Sequence, residues 1–261
     1  MTSPHVDLDE ASLEIVGRIR VASNATFRAR IGDVDVVYKP VAGENPLWDF
    51  PDGTLAGREV AAYLVSESLG WGIVPRTWLR DGPMGPGMVQ LWQEIDQAQS
   101  PVDVVPTDEV PEDGVRAVLE GLDGDDRPVT LVHEDTAALR RMAVFDAVVN
   151  NADRKGGHVL PQADGRRLGV DHGVTFHVEP KLRTVLWGWL GASLDADELA
   201  GIAQVRADLG PHLDGDLARR LTGLLTQDEV AALAARCDAL LRTPRFPQPA
   251  GVMPAVPWPL F

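Results

Sequence analysis

Two carboxylates in one loop-rich stretch constrain this chain more than any other feature. Residues 148–174 read VVNNADRKGGHVLPQADGRRLGVDHGV. An apolar helical run ends at Asn150-Asn151, and Asp153-Arg154 follow at once. A short β-prone segment and a turn come next, and the stretch closes on Val170-Asp171-His172-Gly173. Phosphoryl transfer is mostly positioning and charge neutralisation, so few residues need be special. It does need one carboxylate at the attacking group and another on the metal that bridges the nucleotide phosphates. Asp153 and Asp171 stand in that order. The local alternative is turn chemistry alone, with Asn151 and Asp153 as helix-ending residues, Asp171-His172-Gly173 as a plain turn, and His172 and His177 at the surface.

The chain before this stretch reads as a small β-rich unit. Leu13–Ala22 reads as a short helix running into a strand, and Ser23-Asn24-Ala25-Thr26-Phe27 as a small-residue turn. Arg28–Ile31 and Val34–Lys39 read as two strands joined by Gly32-Asp33, a hairpin signal. Lysine is rarely set inside a β-core without a partner, so Lys39 either finds one or points to water from an edge. A three-proline loop leads to a helix over Leu55–Leu69, with Val60, Tyr63 and Leu64 on one face and Gly70 as its cap. Glu59 lies in its first half, as a solvated residue or as the partner of the strand lysine. Gly72–Leu79 and Met88–Gln93 read as further strands around a Gly/Pro turn.

Residues 94–135 are acidic and read as an exposed loop-like insertion. Thr136–Val149 reads as a helix with Ala138, Met142, Phe145 and Val149 along one side. Beyond the two-carboxylate stretch, Lys181 and Arg183 form a cationic cluster suited to an anionic substrate, and Trp187 and Trp189 flank Gly188. Asp195 with Glu198, and Thr226 with Glu229, read as helix-capping pairs. Cys237 shares the apolar face of the last helix with Val230, Leu233, Leu240 and Leu241, a core position. From Thr243 the chain is Pro-rich, with no regular structure expected.

Composition removes several classes of function. The balance of 24 basic and 39 acidic residues gives a net charge of −15. Such a surface repels nucleic acid and anionic membranes. The single cysteine allows no internal disulfide and points to a reducing, cytoplasmic setting. No apolar run approaches a membrane span, so no integral membrane association is expected. The 6 histidines show no HxH or HExxH spacing, which weakens a metal hydrolase.

In chain order, Lys39, Glu59, Asp153-Arg154 and Asp171-x-Gly173 resemble the phosphatidylinositol 3-/4-kinase branch of the protein-kinase-like superfamily. The likeness is greatest to type II phosphatidylinositol 4-kinases and to an uncharacterised actinobacterial kinase-like branch. It is carried by Val36-Val37-Tyr38-Lys39-Pro40, by residues 55–77, by Asn151–Arg154 and by Val170–Phe176, with Trp187-Gly188-Trp189 after a basic stretch. The resemblance implies an α+β, bilobal protein-kinase-like fold. Its N-lobe (1–93) would be β-rich with one main helix, its C-lobe (94–243) compact and mostly helical, and residues 244–261 a tail.

It implies an ATP-dependent phosphotransferase using Mg²⁺ or Mn²⁺. Lys39 would contact the α/β-phosphates and Glu59 would hold it. Ser23, Asn24 and Thr26 would lie in the phosphate-covering turn, and Gln90, Leu91, Trp92 and Gln93 would form the hinge strand at the adenine. Asp153 would be the catalytic base or orienting carboxylate, Arg154 would stabilise its loop, and Asp171 would bind the metal. The family has His and Asn where this chain has Lys155 and His158. Lys155 could then neutralise the transferring phosphoryl, and His158 could serve as a second metal ligand. The partners implied are a nucleotide and a protein or small-molecule hydroxyl. A nucleotide-binding pseudokinase scaffold and an AMP-transferring enzyme on the same fold stay open beside it.

Overall fold

The computed structural model describes residues 7–19, 24–45, 47–51, 53–250 and 254–261. Alternation builds its first layer. Strands β1 (Leu13–Arg18), β2 (Phe27–Ile31), β3 (Val34–Pro40), β4 (Thr77–Gly82) and β5 (Gly85–Leu91) form one antiparallel sheet in the order β1-β2-β3-β5-β4. Along β3, Val36 and Tyr38 face one way and are buried with Leu13, Ala29, Ile31 and Val89. Lys39 therefore faces the other way, because successive strand side chains alternate.

On that second face lies helix α1 (Leu55–Leu69). It begins and ends where the apolar period requires, and Gly70 closes it with φ of 73°. Eleven of its 15 residues are buried, among them Arg58 and Glu59. A helix buried nearly all round belongs to the core of the molecule rather than to one wall. It joins one continuous apolar core with α2 (Ala137–Val149), α3 (Ala196–Leu209), α4 (Asp216–Leu221) and α5 (Gln227–Arg242). Thr136 caps α2, and full capping boxes at Asp195/Glu198 and Thr226/Glu229 start α3 and α5. Cys237 is fully buried on α5, and burial pushes its thiol up to about 12. The result is a bilobal protein with a β-rich N-terminal part and a mostly helical C-terminal part.

Three local expectations are corrected. Residues 13–18 are strand β1, because Leu13 pairs opposite Ile31 and the β-branched Ile15 and Val16 suit a sheet edge. Residues 94–135 are not loop-like. They hold strands β6 (Val102–Pro106), β7 (Val115–Leu122) and β8 (Pro128–Glu134) in a second antiparallel sheet, β6-β8-β7. The charges read as a solvated loop sit on its exposed face and in the β7–β8 turn, where Asp123 accepts from the Asp125 and Arg127 amides. Residues 72–76 are not strand, since Ser66 Oγ takes the Ile73 and Val74 amides at 2.9 and 3.0 Å. The tail is irregular as expected, yet it is docked, with Phe246 buried against the Trp189 ring. Among the described residues, no helix is long and apolar enough to cross a membrane.

Candidate phosphotransfer site

Lys39 is the centre of the site. Its ammonium lies 2.6 Å from Glu59 Oε1 and 2.8 Å from Asp171 Oδ1. Glu59 uses its other oxygen to accept from the His172 amide at 2.9 Å. Strand β3, helix α1 and the Asp171 loop are thus tied at one point. Burial opposes the Lys39 charge, but Asp171 and Glu59 outweigh it and hold the pKa above its ordinary value. Asp171 is held well below the usual carboxylate range, first by the Lys39 ammonium beside it. The acid's contribution to stability is present above about pH 4 and lost as pH falls through its folded value. The lysine's is present below about pH 10 and lost as pH rises through its own. The clip is therefore intact through the neutral range.

The Asp153 loop meets the same cluster. After α2 comes a left-handed Asn150, with φ of 54°, whose side chain binds the His177 and Glu179 carbonyls and the Lys181 amide. Lys155 is ion-paired to Asp153 at 3.2 Å. His158 Nδ1 lies 3.0 Å from the Asp153 carbonyl, which can only accept, so the ring proton is on Nδ1. His158 Nε2 then turns its lone pair toward Asp171 Oδ2 at 3.4 Å. Burial first lowers the pKa of this ring, with Arg154 adding to it and Asp171 opposing, which favours the neutral form. Asp171 itself is left-handed, with φ of 62°, a conformation aspartate tolerates better than most residues.

These donors fit a divalent ion. A neutral imidazole nitrogen and a carboxylate oxygen face each other with no proton between them. Lys39, Arg154 and Lys155 stand against Glu59, Asp146, Asp153 and Asp171, so one negative charge is left over. Among the described residues no group of three or more His, Cys, Asp and Glu side chains could hold a metal alone.

Arg154 is not at the surface of this site but beneath it. It is fully buried and bidentate to a fully buried Asp146, at 2.9 and 2.8 Å. It also donates to the His158 and Val170 carbonyls and to His172 Nε2. His172 is therefore a buried structural residue, not a surface one. Asp146 was legible as a carboxylate inside an apolar helical run, a placement that needs a partner.

Burial, and then the Arg154 charge, holds the His172 imidazole well below its ordinary value. Such a base binds fewer protons folded than unfolded. Stability is thus full above about pH 6.5 and falls by up to about 1.4 kcal/mol per pH unit below it, until the folded value is reached. His172→Asn keeps an acceptor for Arg154 and is expected to flatten that slope. Thermal melts from about pH 7 to about pH 5 measure it, and equal slopes would contradict the assignment.

The other expected site residues that are described bond to partners outside the cluster. Ser23 is outside the described residues. Thr26 is buried and donates to the Asn24 carbonyl, while the Asn24 side chain accepts from the Asn45 amide. The Gln90 amide is spent on Thr77 Oγ1 at 2.8 Å. The Leu91 and Trp92 amides already bond the Arg76 and Asp35 carbonyls, and Gln93 Nε2 reaches the Leu91 carbonyl. Of the cationic pair beyond the loop, Lys181 is already taken by a carboxylate. Lys181 is paired with Asp49 at 3.0 Å over the Trp48 ring, and Arg183 Nε donates to the Pro254 carbonyl. Trp187 and Trp189 are buried, their indoles bonded to Ala255 and Asp135.

A strand lysine paired to the glutamate of the one long N-terminal helix, over a mostly helical second part that brings an Asp loop to the same point, defines a bilobal α+β protein with its candidate site where the two parts meet. Protein Rv2133c of Mycobacterium tuberculosis (strain ATCC 25618 / H37Rv) is 48% identical over 274 residues, spanning 98% of this chain and 95% of that protein. The chain belongs to the family of that protein. No family model matches it. Among solved structures, the Helicobacter pylori proinflammatory kinase CtkA is similar at 12% identity with a TM-score of 0.47, over 93% of this chain and 95% of that one.

Proposed function

We propose that the chain is an ATP-dependent phosphotransferase of the phosphatidylinositol 3-/4-kinase-like type, acting in the cytoplasm on a hydroxyl of a soluble protein or small molecule. The observation that carries this reading is Lys39 held between Glu59 and Asp171. In it, Lys39 grips the α/β-phosphates and Glu59 keeps the ammonium aimed. Asp171 and His158 hold Mg²⁺ or Mn²⁺, which when bound neutralises charge on the phosphates. Asp153 orients the acceptor hydroxyl and takes its proton, and Lys155 moves from Asp153 to the transferring group. Arg154 touches no substrate and keeps the loop in place. Backbone groups of residues 90–93 other than the engaged Leu91 and Trp92 amides face the adenine. The net charge of −15 disfavours a lipid surface as the seat of the acceptor.

One feature favours a second reading, a nucleotide-binding module without turnover. Lys155 is ion-paired to the very carboxylate that a base role needs. Calorimetric titration of ATP with Mg²⁺, then Mn²⁺, into wild type and Asp171→Asn tests the cleft. Metal-dependent binding to wild type that the variant lacks is the expected result, and no binding with either metal would sink both readings. Transfer of label from γ- but not α-labelled ATP then separates phosphotransfer from AMP transfer and from a silent scaffold.

A further inference from the structure

We infer that residues 254–261 form a strap that positions the Asp153–His158 loop, with Leu260 and Phe261 as positioning residues; their effect on turnover rests on the phosphotransfer reading above. The strap begins behind the loop. Segment 183–185 brackets Arg154, whose amide bonds the Arg183 carbonyl and whose carbonyl accepts from Val185. The strap lies on that segment. Its Ala255 carbonyl accepts from the Thr184 amide at 3.0 Å and from the Trp187 indole at 2.9 Å. Pro257 is buried, and Val256 and Leu260 pack on the main core.

Leu260 and Phe261 then reach the loop itself. The Gly156 amide donates to the Leu260 carbonyl at 2.8 Å. The Phe261 ring lies so close to Gly156 that a methyl there would run into it. Gly156 has no positive φ, so its backbone does not require glycine; a Cβ there would instead push aside the half-exposed Phe261 ring. Gly156 follows Lys155 and stands two residues before His158, and both of those side chains fasten on Asp153. Anchoring its amide therefore fixes the two groups that share the Asp153 carboxylate and carbonyl. Residues that orient a site in this indirect way change metal affinity or activity by about 10- to 100-fold.

The test uses wild type, Phe261→Ala, a chain lacking Leu260 and Phe261, and Gly156→Ala with and without Phe261→Ala. Hydrogen exchange is followed at the amides of Lys155, Gly156, Gly157 and His158, with α1 as the internal control. Exchange about tenfold faster or more in the loop alone is expected in the Phe261 variant and the shortened chain. Gly156→Ala is expected to loosen the loop in the intact chain and to do so less once Phe261 is alanine, since the clash is then removed. In turnover, kcat is expected to fall about 10- to 100-fold with KM for ATP held within about twofold. Unchanged loop exchange in both tail variants overturns the strap, as does turnover that rises when the tail is shortened. The exchange measurement needs no nucleotide, so a wild type that binds no ATP would overturn the phosphotransfer reading while the strap is still decided.

Discussion

Lys39→Met is expected to cut turnover by about 10²- to 10³-fold, the loss that follows removal of one preorganised group from developing charge. It is also expected to destabilise the protein. Glu59 is only 2% exposed, and its Oε1 would be left without a partner. Breaking a buried pair from one side costs roughly 3 kcal/mol, or on the order of 10 °C in a chain this long. Stability and chemistry can be told apart. In Lys39→Met with Glu59→Gln the buried charge is gone and the His172 amide still finds an oxygen, so thermal stability is expected to return while turnover does not. Melting curves and label transfer from ATP give the two readouts. A single variant that melts early but turns over normally would make Lys39 a structural residue only.

The larger effect on stability belongs to Arg154. Arg154→Ala would strand a fully buried Asp146 carboxylate and remove the donor from the His158 and Val170 carbonyls and from His172. The expected cost is about 4–5 kcal/mol, a large share of the stability of a typical domain. Urea denaturation measures it. Replacing both partners, Arg154→Met with Asp146→Leu, is expected to recover part of that loss, because no charge is then left unpaired. Metal-dependent nucleotide binding is not expected to recover with it, since the loop would still lack the bonds that hold His158 beside Asp171. A double variant as unstable as Arg154→Ala would contradict this account.

Both variants bear on how much of the site could be read in advance. The order of Lys39, Glu59, Asp153 and Asp171 along the chain marks them in the sequence, the family resemblance adds Lys155 and His158, and the fold gathers all six into one bonded cluster. Asp146 carries only the weak signal of a carboxylate in an apolar helical run, although its bond to Arg154 keeps the Asp153 loop in shape. His172 was open to a surface reading because nothing local says that a residue beside an exposed Asp171 is itself fully buried. Lys181 reads as a free cation because its partner, Asp49, is distant in the chain.

The sequence by itself determined the elements whose signals are local. Helix α1 from Leu55 to the Gly70 cap, the Gly32-Asp33 hairpin, the capping boxes of α3 and α5, and the core place of Cys237 all follow from periodicity and turn chemistry within a few residues. Only the tertiary structure decided the β6-β8-β7 sheet, the edge strand β1, the pairing of Arg154 with Asp146 and the return of the tail to Gly156. Each of these is settled by a partner far along the chain. A strand with one solvated face, a buried charge or an extended tail has many local conformations of similar energy, and it is the distant partner's hydrogen bonds and packing that select one.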